Sequence, residues 1–183
     1  MDLTHETFVH PESIGQSEIE ESKPEVSVED GIVKVSRWML NIKPLPFWDG
    51  LIGSDDPVDR WQICHFQATS NVHIDVGVAA AGTGAPEGDR FWGITGPVFD
   101  LITPETEHSR WYFWGMAFDF QQDDAALNER IRQGQQTIFA QDLEILEAQQ
   151  RNLAGFPGRR LMNLDIDKGG LHSSRIIDQL CQQ

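Results

Sequence analysis

The hydrophobic period of this chain changes once, at Asp123-Asp124, from two to 3.6. Upstream, five segments alternate or carry β-branched and aromatic residues: Ile32–Leu40, Trp61–Ala68, Val72–Ala80, Phe91–Thr103 and Arg110–Phe120. In Val72–Ala80, residues Val72, Ile74, Val76 and Val78 share one face, and His73, Asp75 and Gly77 share the other. Downstream, residues 125–151 read as one long helix, ended by Gly155, Pro157 and Gly158. A short helix follows Gly169-Gly170. Strands followed by one long helix predict an α+β fold, a curved antiparallel sheet around that helix. The 183 residues suit a single domain, 1–183. Within it, 12–30 is acidic and poor in apolar residues, and reads as a mobile acidic loop.

Charge narrows the function classes. The net charge is −15, which repels nucleic acid and anionic membrane, so neither is an expected partner. No apolar run approaches the length of a membrane span, and no basic-then-apolar leader opens the chain. Cys64 and Cys181 have no framework spacing and read as free thiols in a reducing compartment, so the expected location is cytoplasmic.

The chemistry-bearing residues lie at the two ends. His5 and His10 are five apart, which on a regular α-helix separates them by about 140°. Both can bind one ion if the helix ends or bulges between them. On the long helix, with Ile138 at zero, Leu127 and Ile145 fall near 340° and Ile131 near 20°. Asp142 falls near 40°, inside this apolar arc. A carboxylate on a buried face is costly unless paired or metal-bound, so Asp142 needs a cation. An Arg such as Arg110 is one candidate; a metal shared with His5 and His10 is the other. Two His and one carboxylate make the facial triad of non-haem Fe(II) sites.

At this point the residues resemble a family. Asp2, His5 and His10, with Phe8-Val9-His10-Pro11, are similar to the D-x-x-H-x-x-x-x-H motif of Rieske-type aromatic oxygenases, in particular the vanillate O-demethylase oxygenase branch. Three further blocks agree in order. They are Ser70-Asn71-Val72-His73-Ile74-Asp75-Val76-Gly77 with Gly82-Thr83-Gly84, then Thr103-Pro104-Glu105-Thr106 with Tyr112-Phe113-Trp114, and finally Phe139-Ala140-Gln141-Asp142 with Gln149-Gln150. The last resembles the family's third-ligand helix, which often reads F-x-E-D; here Gln141 stands in place of the acid.

The resemblance implies a helix-grip, START-like fold. It implies a mononuclear Fe(II) held by His5, His10 and Asp142, with O2 as co-substrate, and Asp2 as the electron-transfer bridge. The implied activity is O-demethylation or hydroxylation of a small substituted aromatic acid such as vanillate. Another aromatic ring-hydroxylating activity, or an inactive START-like module for apolar ligands, are the rival readings. Family oxygenases also carry a Rieske domain whose 2Fe–2S cluster is held by C-x-H and C-x-x-H pairs; neither pair occurs here, Cys64 and His65 being adjacent. The chain therefore reads as the C-terminal piece of a longer oxygenase. It is expected to depend on a Rieske domain and a reductase for electrons, and on a homotrimer in the full-length protein.

Asn71, His73 and Asp100 are candidate substrate-pocket residues, with a solvent-facing side as the alternative for His73 and Asp75. The run Trp111–Trp114 reads as core. Gly82-Thr83-Gly84 lacks the GxGxxG pattern and a Walker Lys, which excludes nucleotide binding. Asp165 and Asp167 do not open an EF-hand, because the twelfth position is Ile176.

Overall fold

Asp30 and Gly31, both at positive φ (50° and 77°), turn the chain between β1 (Glu25–Glu29) and β2 (Ile32–Ile42). A two-residue loop with both φ values positive matches the twist of a hairpin, and Asp-Gly is a favoured pair for it. β3 (Val58–Gln67), β4 (Asn71–Ala80), β5 (Ile94–Thr95), β6 (Val98–Pro104) and β7 (Arg110–Met116) complete a seven-stranded sheet. Its order is β1-β2-β3-β4-β6-β7, with β5 paired to β4, and all pairings are antiparallel. The helices are α1 (Glu6–Val9), α2 (Glu18–Glu21), α3 (Ala125–Gly155) and α4 (Lys168–Leu180). The computed structural model describes residues 3, 5–48, 51–52, 55–159 and 161–182.

The expected α+β architecture, a curved antiparallel sheet with a long C-terminal helix, is the one observed. α3 starts where the period changes: the Asp124 carboxylate accepts from the backbone N–H of Ala126 and Leu127, which satisfies two of the helix's orphan donors. Its first half buries Leu127, Ile131, Gln135 and Ile138. Beyond Asp142 the helix leaves the sheet, and Leu143, Ile145 and Leu146 are exposed. The apolar arc read from the helical wheel is thus buried only over its N-terminal half.

Register fixes which side chains face α3. Arg37 on β2 lies opposite Gln62 on β3, which lies opposite Val76 on β4. Directly opposed residues share a face, so this row and the neighbouring Met39–Arg60–Val78 row point to one side. The main apolar core, with Ile19, Met39, Leu45, Trp48 and Val78, lies there. On the other side Trp61 is fully buried; its Nε1–H donates to Asp75, which also pairs with Arg90 at 2.5 Å.

Two expectations are corrected. The 12–30 stretch is not all loop: it contains α2 and β1. Ile19, 2% exposed, anchors α2 in the core, and β1 pairs with β2, so one apolar residue and a neighbouring strand edge suffice to order an acidic segment. The run Trp111–Trp114 is not core either, since β7 is an edge strand and Trp111, Tyr112 and Phe113 are exposed. Among the described residues, no helix is long and apolar enough to cross a membrane.

Candidate metal centre

α1 lasts a single turn. His5 is its N-cap, and His10, at φ −122° and ψ 43°, lies past its C-terminal end. The helix therefore ends between the two imidazoles, which removes the angular separation that a continuous helix imposes. Their ring centroids are 5.2 Å apart, edge to face. Asp142 on α3 meets both: its Oδ1 is 3.3 Å from His5 Nε2 and 3.1 Å from His10 Nε2. One ligand atom from each of the three residues lies within 4.8 Å of the other two. Arg110, at the exposed start of β7, is not the cation beside Asp142.

His10 is fully buried. Its Nδ1–H donates to Gln141 Oε1 at 2.8 Å, because an amide oxygen can only accept. That bond leaves Nε2 as the bare nitrogen of the neutral ring. Nε2 is buried and close to Asp142, yet outside hydrogen-bonding geometry. Burial alone lowers the His10 pKa, but the contacts with Asp142 and Gln141 outweigh it and raise the value above 6.5. Burial opposes charge on Asp142 too; His10 and His5 override it and hold the carboxyl at about 2. Without an ion, the site balances one anion against two imidazoles.

A latch that sequence reasoning missed holds the histidine segment. Glu6, between the two histidines, is 4% exposed. It accepts from Gln62 Nε2 at 2.5 and 2.7 Å and from Arg60 at 3.2 Å, both on β3. Arg60 also donates to the Ile14 carbonyl and to Gln16 Oε1. Arg37 donates to the Leu3 carbonyl, and to Ser22 at 2.9 Å. Burial lowers the Arg60 pKa and Glu6 counters it. The only signal in the sequence is the presence of charged residues at inward positions of β2 and β3, where alternation predicts apolar ones.

The three residues flank a cavity of ≈ 130 Å³, walled by apolar groups that include Phe47, Trp48, Val76 and Ile138. A shallower depression of ≈ 320 Å³ at the start of α3 contains none of the three. Two pocket candidates fall elsewhere. Asn71 is exposed, and His73 stacks between His65 and Phe99 on the opposite face, because alternation turns Ile74 and Val76 to the cavity. Asp100 shares the inward face with Val98 but sits beyond the cavity wall, and burial pushes its pKa up, with Tyr112 opposing. Asp2 lies outside the described residues.

Comparison with known proteins gives the family. The family model described as vanillate O-demethylase oxygenase C-terminal domain matches residues 1–183. The chain belongs to this family. Within the vanillate O-demethylase oxygenase group, it is 51% identical over 185 residues to the vanillate O-demethylase oxygenase subunit of Pseudomonas sp. (strain ATCC 19151), covering 98% of this chain and 56% of that one. It is 29% identical to the oxygenase component of dicamba O-demethylase from Stenotrophomonas maltophilia, covering 100% of this chain and 53% of that one. The crystal structure of dicamba monooxygenase bound to 3,6-dichlorosalicylic acid superposes with a TM-score of 0.89 at 28% identity, over 99% of this chain and 53% of that one. The chain spans about half the length of the curated relatives it matches.

Proposed function

We propose that this is the catalytic domain of a Rieske-type non-haem iron monooxygenase, with His5, His10 and Asp142 as the ligands of one Fe(II). The observation that carries the reading is the convergence of three ligand atoms within 4.8 Å beside an apolar-walled cavity. Two imidazoles and a carboxylate suit Fe(II) and leave coordination positions open. The bare, buried Nε2 of His10 is the kind of atom a metal satisfies. Iron bound there supplies the activation of O2, the co-substrate.

The chain's own residues supply position and shape. Gln141 sets the His10 tautomer, and the Glu6 latch ties the histidine segment to β3. The apolar and aromatic lining of the cavity, with Phe47, Trp48, Val76 and Ile138, suits an aromatic ring. Its apolar wall keeps water from the reacting group. We assign as substrate a small methoxylated aromatic acid, vanillate being the nearest example. Hydroxylation of its methyl carbon gives a hemiacetal that collapses to a phenol and formaldehyde. The names of the relatives as oxygenase subunit and component favour dependence on further components. On this reading electrons come from a reductase through a Rieske 2Fe–2S cluster, Asp2 bridges to His5, and the full-length protein is a cytoplasmic homotrimer.

The test is iron stoichiometry. The chain reconstituted anaerobically with Fe(II) should bind one equivalent, and Asp142→Ala and His10→Ala should each lose it. Unchanged iron content in both variants would remove the assignment.

A further inference from the structure

Among the described residues, Gln135 is the buried polar residue on α3, and the site described above does not use it. It is 7% exposed and lines the cavity. It stands seven residues before Asp142, on the same helix face and about 10 Å along the axis. Among the described residues, the one hydrogen bond its side chain makes runs from Nε2 to the Met116 sulfur at 3.3 Å. A thioether is a weak acceptor. The amide keeps one N–H and its carbonyl oxygen unspent. The same cavity wall carries the apolar Val98, Met116 and Ile138, while its Arg60 and Gln62 already donate to Glu6.

We propose that Gln135 is a specificity-determining residue that hydrogen-bonds a ring hydroxyl of the substrate. The inference rests on the aromatic-acid reading above. With the reacting group at Asp142, a single ring and its substituents fill the span back toward Gln135. An amide side chain offers both a donor and an acceptor, and a hydroxyl matches both. A carboxylate carries acceptors only and sets its charge against the amide oxygen. The acid group of the substrate therefore lies elsewhere, and Gln135 reads the hydroxyl.

The test is calorimetric binding to the iron-loaded chain and to the metal-free chain. The ligands are 3-methoxybenzoate, its 4-hydroxy and 5-hydroxy derivatives, and the corresponding fluoro compounds, which keep the size and lose the donor. Wild type should bind one hydroxylated acid roughly tenfold more tightly than 3-methoxybenzoate or its fluoro partner. In Gln135→Met that preference should collapse while 3-methoxybenzoate still binds. Equal binding of hydroxy and fluoro ligands by wild type overturns the inference and leaves the aromatic reading standing. So does a preference that survives in Gln135→Met. If wild type binds none of these acids, the aromatic reading and the inference fall together. The fluoro comparison needs no variant, so it decides the matter even if Gln135→Met misfolds.

Discussion

Gln141 and Asp142, adjacent on α3, address the two nitrogens of one imidazole: Gln141 Oε1 lies 2.8 Å from His10 Nδ1, and Asp142 Oδ1 lies 3.1 Å from His10 Nε2. One helical step thus carries both a metal-facing carboxylate and the group that orients the opposing ligand. A partner of this kind typically changes metal affinity by about 10–100-fold when removed. Gln141→Leu should weaken Fe(II) binding by about that factor. Gln141→Glu restores an acceptor, so it should retain iron. Competition titrations against a chelator measure both.

The Glu6 latch predicts a stability effect. Removing one partner of a buried ion pair strands the other charge, at a cost of about 3–5 kcal/mol. Glu6→Ala leaves Arg60 buried with only carbonyl and amide partners, and should lose stability in that range. Glu6→Gln keeps the shape and one acceptor and should lose less. Urea unfolding of the metal-free chain separates the two, and iron titration should show weaker binding in Glu6→Ala.

His65 sets a pH dependence away from the metal. Burial, followed by its cross-strand neighbour His73 and by Lys34, pushes its pKa below 6.5. A histidine whose folded pKa is lowered takes up fewer protons than the unfolded chain, so stability falls as pH drops below 6.5 toward the folded value. Above 6.5 its contribution is flat. His65→Phe keeps the stack on His73 and should remove part of the acid-side loss. Unfolding midpoints measured between neutral and acidic pH in the two proteins give the difference directly.

Gly77 allows Trp61 to pack against β4. A Cβ at this position would lie 2.2 Å from the Trp61 ring and 2.5 Å from the Ile94 carbonyl oxygen. Gly77→Ala should destabilise by about 1–3 kcal/mol, the usual cost of overpacking. Thermal melts check it, and a loss of less than a few tenths would show that the ring can move.

Much of this protein was legible in its residues. The change of period at Asp123-Asp124 announced strands followed by one helix, and both features depend on near neighbours only. Asp142 stood out because a carboxylate sat within an apolar arc. His5 and His10 drew their weight from a motif rather than from their spacing. The substrate-pocket candidates were harder: alternation assigned His73 to a face but could not say which face α3 would cover.

What tertiary structure alone decided is how these parts meet. α1 stops after one turn, so both imidazoles can reach the same carboxylate, 132 residues further along from His10. Glu6 finds Arg60 and Gln62, 54 and 56 residues away, and no local pattern encodes such a pairing. Ile19 orders an acidic segment because a core exists to receive it, while Leu143, Ile145 and Leu146 on the later turns of α3 stay exposed. Periodicity follows from backbone geometry and is written residue by residue. Partnership across the fold follows from which faces the sheet register and helix docking bring together, and that is settled only when the whole chain packs.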